Sequence, residues 1–136
     1  MEPFILDSPF ALAWCFRDEQ NARTDEIRNW LKTTYALAPP LWKWEIANGL
    51  LVAFRRKRIS QEDALDALAQ FDILQIHTDP DWRHVPSVAL FQLANANTLT
   101  IYDAAYLHLA QRLNYPLATL DGPLTTAAAK AGVRLL

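Results

Sequence analysis

Four acidic residues stand where the chain is otherwise apolar. Asp7 follows the run Phe4-Ile5-Leu6, and Asp121 follows Pro116-Leu117-Ala118-Thr119-Leu120. Glu45 and Asp103 lie near the starts of two strongly apolar helical segments. In a parallel sheet, strand ends and the helix starts beyond them share one rim. Carboxylates far apart in sequence are therefore expected to meet in one cleft. Like charges at close range repel, so such a cluster implies a divalent cation. Oxygen donors without His or Cys suit Mg²⁺ or Mn²⁺ rather than zinc, and Mg²⁺ takes only one or two carboxylates directly. The chemistry this offers is a polarised water, held by a second carboxylate and aimed at a phosphodiester.

Each acid also has a plainer explanation. Asp7 and Asp121 can cap the helices that follow them, and Asp103 stands three residues after Thr100, as in a capping box. Glu45 is harder to explain that way. On a helical wheel its side carries Asn48, Gly49 and Val52, while Ala47, Leu50, Leu51 and Phe54 cluster opposite. A carboxylate in that setting costs several kcal/mol unless something pairs with it. Asn48, one turn on, is placed to hold the carboxylate or a water.

The elements that must position these groups alternate between strand and helix. Strands are expected at Phe4–Leu6, Tyr35–Ala38, Ile73–His77, Pro116–Leu120 and Val133–Leu136. Helices are expected after Ser8-Pro9, with Ser8 as N-cap and Pro9 at the first position, and at Thr24–Thr33, Leu41–Lys57, Ser60–Phe71, Val85–Ala96, Thr100–Leu113 and Leu124–Ala131. Asp79-Pro80-Asp81 reads as a turn, and Gly132 as a helix C-cap. The pattern predicts an α/β fold, a three-layer α/β/α sandwich around a mostly parallel sheet of about five strands. Ligands in such sheets bind beyond the carboxyl ends of the strands.

A chain of 136 residues, 51% hydrophobic, suits one domain spanning 1–136 and argues against disorder. The net charge of −2 argues against a general nucleic-acid coat. The one dense basic run is Arg55-Arg56-Lys57-Arg58. Arg56 returns to the helical face of Glu45 about 16 Å along the axis, within reach of a phosphate away from the cut. A solvated helix end is the simpler reading of that run. Cys15 is the only cysteine, which excludes an internal disulfide and fits a reducing cytoplasm. No secretory leader is legible at Met1-Glu2-Pro3, and no apolar run approaches the roughly 20 residues of a membrane span. His77, His84 and His108 lack a metal-ligand spacing, and Asp18 and Glu19 read as surface acids. Tyr102 and Tyr106 read as packing groups. The Leu41–Phe54 stretch is apolar nearly all round, and with the five tryptophans it points to burial or self-association.

The segments that carry the acids resemble the motifs of the PIN-domain ribonucleases, most closely the VapC-type toxins of bacterial toxin–antitoxin pairs. Phe4-Ile5-Leu6-Asp7-Ser8 is similar to the family's opening strand and Asp-x-Ser turn, with Pro9 where serine is commoner. Pro40 followed by Glu45-Ile46-Ala47-Asn48 is similar to the second motif. Tyr102-Asp103-Ala104-Ala105-Tyr106 resembles the Tyr-Asp-Ala-x-Tyr segment, and Thr119-Leu120-Asp121 the Thr-x-Asp motif. Further polar groups follow that motif in many members, where this chain has Gly122-Pro123. The resemblance implies a PIN-like fold and a metal-dependent endoribonuclease using Mg²⁺ or Mn²⁺. It implies Asp7, Glu45, Asp103 and Asp121 as the catalytic and metal-holding residues. It also implies a homodimer and a VapB-type antitoxin partner. The competing readings are a non-catalytic PIN-fold binding module and a phosphoacceptor receiver domain; the latter normally needs paired acids after the first strand and a lysine near a later strand end.

Overall fold

A computed structural model describes residues 1–136. Four strands, β1 (Phe4–Leu6), β2 (Ala36–Ala38), β3 (Ile76–Thr78) and β4 (Leu117–Ala118), form a wholly parallel sheet in the order β3-β2-β1-β4. The central strand β1 pairs Phe4 with Ala36 and Ile5 with Leu37 on one side, and Ile5 with Leu117 and Leu6 with Ala118 on the other. Its three residues are fully buried. A strand covered on both faces needs an uninterrupted apolar run, which is what Phe4-Ile5-Leu6 supplies. Parallel pairing puts the carboxyl ends of β1 and β4 side by side.

Seven helices flank the sheet: α1 (Ser8–Ala13), α2 (Ala22–Trp30), α3 (Trp42–Arg55), α4 (Gln61–Ile73), α5 (Ser87–Asn97), α6 (Ile101–Leu113) and α7 (Gly122–Lys130). α1 packs on α3, α3 on α4, and α6 on α5, α7, β1 and β4. One core joins Phe4, Leu6, Phe10, Ile46, Leu50, Tyr106, Leu107, Leu117 and Leu124. Gly49 sits where α1 crosses α3. A Cβ there would meet Leu12 Cδ1 at 2.4 Å, so the missing side chain lets the two helices approach closely. No helix is long and apolar enough to cross a membrane.

Several expectations are corrected. The sheet has four strands, not about five: Val133–Leu136 contributes a single bridge, Leu117 to Leu135, because β4 is only two residues long and offers no more backbone to pair. The N-cap of α1 is Asp7 rather than Ser8, since the Asp7 carboxylate accepts the Phe10 N–H at 2.9 Å. α2 starts earlier than Thr24 because Asn21 caps it in a reciprocal pair with Thr24. α4 runs on to Ile73, which delays β3 to Ile76. Of the two readings of α3, full burial within the chain does not hold: Trp42, Ile46, Leu50 and Ala53 face the core, while Trp44, Leu51 and Phe54 are exposed.

Candidate active site

Asp7 leaves β1 directly into α1, and its side chain does two local tasks. One carboxylate oxygen caps α1 through Phe10, and the other accepts a hydrogen bond from the Thr119 hydroxyl, brought alongside by the pairing of β4 with β1. Thr119 in turn accepts the Asp121 N–H at 3.1 Å, and the Asp121 carboxylate caps α7 by accepting the Leu124 N–H at 2.9 Å. A chain of hydrogen bonds thus ties the ends of β1 and β4 together. Asp7 and Thr119 are buried, while Asp121 is partly exposed.

The other two acids come from helix starts. Thr100 caps α6 through the Asp103 N–H at 3.1 Å, so Asp103 lies in the first turn, its carboxylate near the Thr100 hydroxyl. Glu45 lies in the first turn of α3, half-buried, and accepts a hydrogen bond from the Tyr106 hydroxyl at 2.8 Å. Helix N-termini carry partial positive charge, which favours carboxylates at both places.

The four groups lie near enough for neighbouring carboxylates to feel one another's charge. Burial pushes the Asp7 carboxyl up to about 6; the Thr119 and Phe10 hydrogen bonds oppose the rise, and the charges of Asp121 and Asp103 add to it. Glu45 is raised by burial, against the hydrogen bonds from Tyr106 and Ser8, and further by the charge of Asp103. Asp103 is raised by burial and by Asp121. None of the four forms an ion pair with Lys, Arg or His. The structure therefore gathers Asp7, Glu45, Asp103 and Asp121 at one rim and leaves their mutual repulsion unrelieved by any basic side chain. No three His, Cys, Asp or Glu side chains stand close enough to enclose a metal ion unaided.

Asn48 and Arg56 are not part of this cluster. Asn48 is exposed on α3. Arg56, at the C-cap of α3, lines a groove of about 330 Å³ between α1 and α3 that starts at Pro9 and passes Leu12, Gly49 and Val52. Its neighbour Arg58 is bound to Asp18 at 3.0 Å and Glu19 at 2.9 Å and lies over the Phe16 ring at 4.1 Å.

Sequence reasoning missed two participants, and the partner of one buried acid outside the cluster. Tyr106, expected only to pack, is the hydrogen-bond donor to Glu45; its spacing from Asp103 on α6 was the available signal. Thr119 bridges two of the acids, and its position two before Asp121 was the corresponding hint. Asp79, read as a turn residue, does form the turn by accepting the Asp81 N–H, but it is also buried and paired with Arg112.

The PIN domain family profile matches residues 4–130. The chain is 34% identical over 101 residues to Ribonuclease VapC1 of Mycobacterium tuberculosis, a match covering 74% of each chain. The crystal structure of PAE2754 from Pyrobaculum aerophilum superposes with a TM-score of 0.69 at 23% identity, over 98% of this chain and 83% of that one. VapBC2 from Rickettsia felis, bound to a DNA fragment from their promoter, superposes with a TM-score of 0.64 at 15% identity, over 100% of this chain and 98% of that one. The chain belongs to the PIN-domain family. Within it, the chain is of the VapC type.

Proposed function

We propose that this protein is a metal-dependent endoribonuclease, the toxin of a toxin–antitoxin pair, and that Asp7, Glu45, Asp103 and Asp121 form its catalytic and metal-holding set. The observation that carries this reading is the unrelieved cluster: four carboxylates at one rim, three of them raised by burial and by each other, with no cationic side chain between them. The donor set suits a hard divalent cation such as Mg²⁺ or Mn²⁺. Its spacing suits an ion held by one or two carboxylates and completed by water rather than a closed protein cage. When bound, such a cation lowers the pKa of a water and offsets charge on the phosphate.

The chain's own residues supply the rest. Asp7 feels the charges of both Asp121 and Asp103, so a bound cation would relieve repulsion there. Glu45, fixed by Tyr106, holds a third oxygen nearby, and Asp121 completes the set. A carboxylate in this cluster takes the proton from the attacking water. In-line attack then leaves a 5′-phosphate and a 3′-hydroxyl, with no 2′,3′-cyclic product. Asn48 and Arg56 serve the substrate further out along α3. The VapC1 relative is named a ribonuclease, which supports RNA as the substrate. A VapB-type antitoxin and a second copy of the chain are the expected partners, in the cytoplasm. Exposed apolar side chains such as Trp44, Val88 and Phe91 provide area for them.

RNA cleavage by the purified protein tests this. Mn²⁺ or Mg²⁺ should support cleavage with 5′-phosphate ends, excess EDTA should abolish it, and Asp103→Asn should lose at least 100-fold in rate while staying folded. Full cleavage in EDTA would refute the metal mechanism. RNA bound but left intact in Mn²⁺ would favour the binding-module reading. The receiver reading has no structural support, because Lys130 is exposed in the last turn of α7.

A further inference from the structure

We propose that Tyr106 is a positioning residue for Glu45, so that the phenol and the carboxylate together form one corner of the cation site. This rests on the reading of Glu45 as a metal-holding group. Tyr106 is 2% exposed, and its ring belongs to the core cluster. The only polar atom of that side chain donates to Glu45 Oε1 at 2.8 Å, joining α6 to α3 across 61 residues of sequence. Buried Ser8 lies close enough to temper both groups. Tyr106 stands three residues after Asp103, so both side chains leave neighbouring positions on α6. One helix thus presents a carboxylate and the hydroxyl that fixes a second carboxylate from another helix.

The physical case is entropic and directional. A half-exposed glutamate has three rotatable side-chain bonds and loses that freedom on binding an ion. A ring wedged in the core has no such freedom left, and its hydroxyl transfers that rigidity to the carboxylate it holds. Hydrogen bonds to ligating groups typically govern metal affinity by 10–100-fold. A tyrosine that merely filled the core would be replaceable by phenylalanine without effect on the ion.

Calorimetric titration of Mn²⁺ alone into the wild-type protein, Tyr106→Phe, Glu45→Gln and the double variant tests the proposal. Tyr106→Phe should weaken the Mn²⁺ Kd by about 10-fold or more, Glu45→Gln should weaken it further, and the double variant should add nothing to Glu45→Gln. Raised Mn²⁺ should restore most of the cleavage rate of Tyr106→Phe. An unchanged Mn²⁺ Kd in folded Tyr106→Phe, with Glu45→Gln weakened, overturns the role of Tyr106 alone. An unchanged Kd in Glu45→Gln overturns the reading of the site, and Tyr106 with it. If Tyr106→Phe fails to fold, a wild-type crystal soaked in Mn²⁺ decides: the Tyr106–Glu45 hydrogen bond kept beside the ion supports the proposal, and a Glu45 carboxylate swung away from Tyr106 refutes it.

Discussion

Asp7 carries conflicting demands within one side chain. It caps a helix, accepts from Thr119, and is buried beside two like charges. Its carboxyl sits at about 6 in the folded protein against an ordinary 3.8. The folded chain therefore holds this proton more tightly than the unfolded chain does. Below about pH 4 both states are protonated and the burial of Asp7 costs nothing extra. Between pH 4 and 6 the unfolded chain ionises first, so stability falls as pH rises. Above pH 6 the full cost persists, about 3 kcal/mol. Asp7→Asn keeps an oxygen for the Phe10 N–H and removes the charge. In EDTA, the variant should become more stable than the wild type as pH rises from 4 to 7, by up to about 3 kcal/mol in urea unfolding. Millimolar Mn²⁺ should close that gap by stabilising only the wild type. Parallel stability curves for the two proteins across this range would contradict the account.

At the level of elements, much of the fold was legible because its signals are local. The apolar run before Asp7 announces β1, and Thr100 three residues before Asp103 announces the start of α6; both stand where expected. The boundaries that moved were set by groups whose partners lie elsewhere or whose strengths nearly balance. α2 begins before Thr24 because the Asn21 and Thr24 side chains satisfy each other's N–H groups. The last strand shrinks to a bridge because its neighbour β4 is short. Asp79 was opaque because its cation lies 33 residues away in α6. Its side chain is only 4% exposed, and Arg112 also reaches Asp81 at 3.9 Å. Removing the cation leaves a carboxylate buried without compensation, which typically costs 3–5 kcal/mol. Arg112→Ala should therefore destabilise by about 3 kcal/mol, and adding Asp79→Asn should recover much of it. A loss below about 0.5 kcal/mol would mean that the pair behaves like a surface ion pair.

The molecule as a whole is mildly acidic, so RNA affinity must come from local charge. Arg58 is occupied by Asp18 and Glu19, whereas Arg56 is exposed, has no acidic partner, and lines the groove that starts at Pro9 beside the acids. Arg56→Glu should weaken single-stranded RNA binding several-fold and reduce the salt slope by about one unit, and Arg58→Glu should do less. Equal affinities and slopes for Arg56→Glu and wild type would leave that run a solvated helix end. The placement of the four carboxylates at strand ends and helix starts was readable, because each lies beside a local strand or helix signal. The hydroxyls that hold two of them, Thr119 and Tyr106, were not readable as such, since only the pairing of β4 with β1 and the reach of Tyr106 from α6 to Glu45 on α3 reveal their partners. The claim beneath all of this is that one divalent ion resolves the repulsion at the rim. Anomalous diffraction from a crystal soaked in Mn²⁺ tests it most directly. The account predicts a strong peak in direct contact with carboxylate oxygens of Asp7 and Asp103, with Glu45 and Asp121 around it. A cleft that stays free of manganese at saturating concentration, with the ion bound elsewhere, would contradict it.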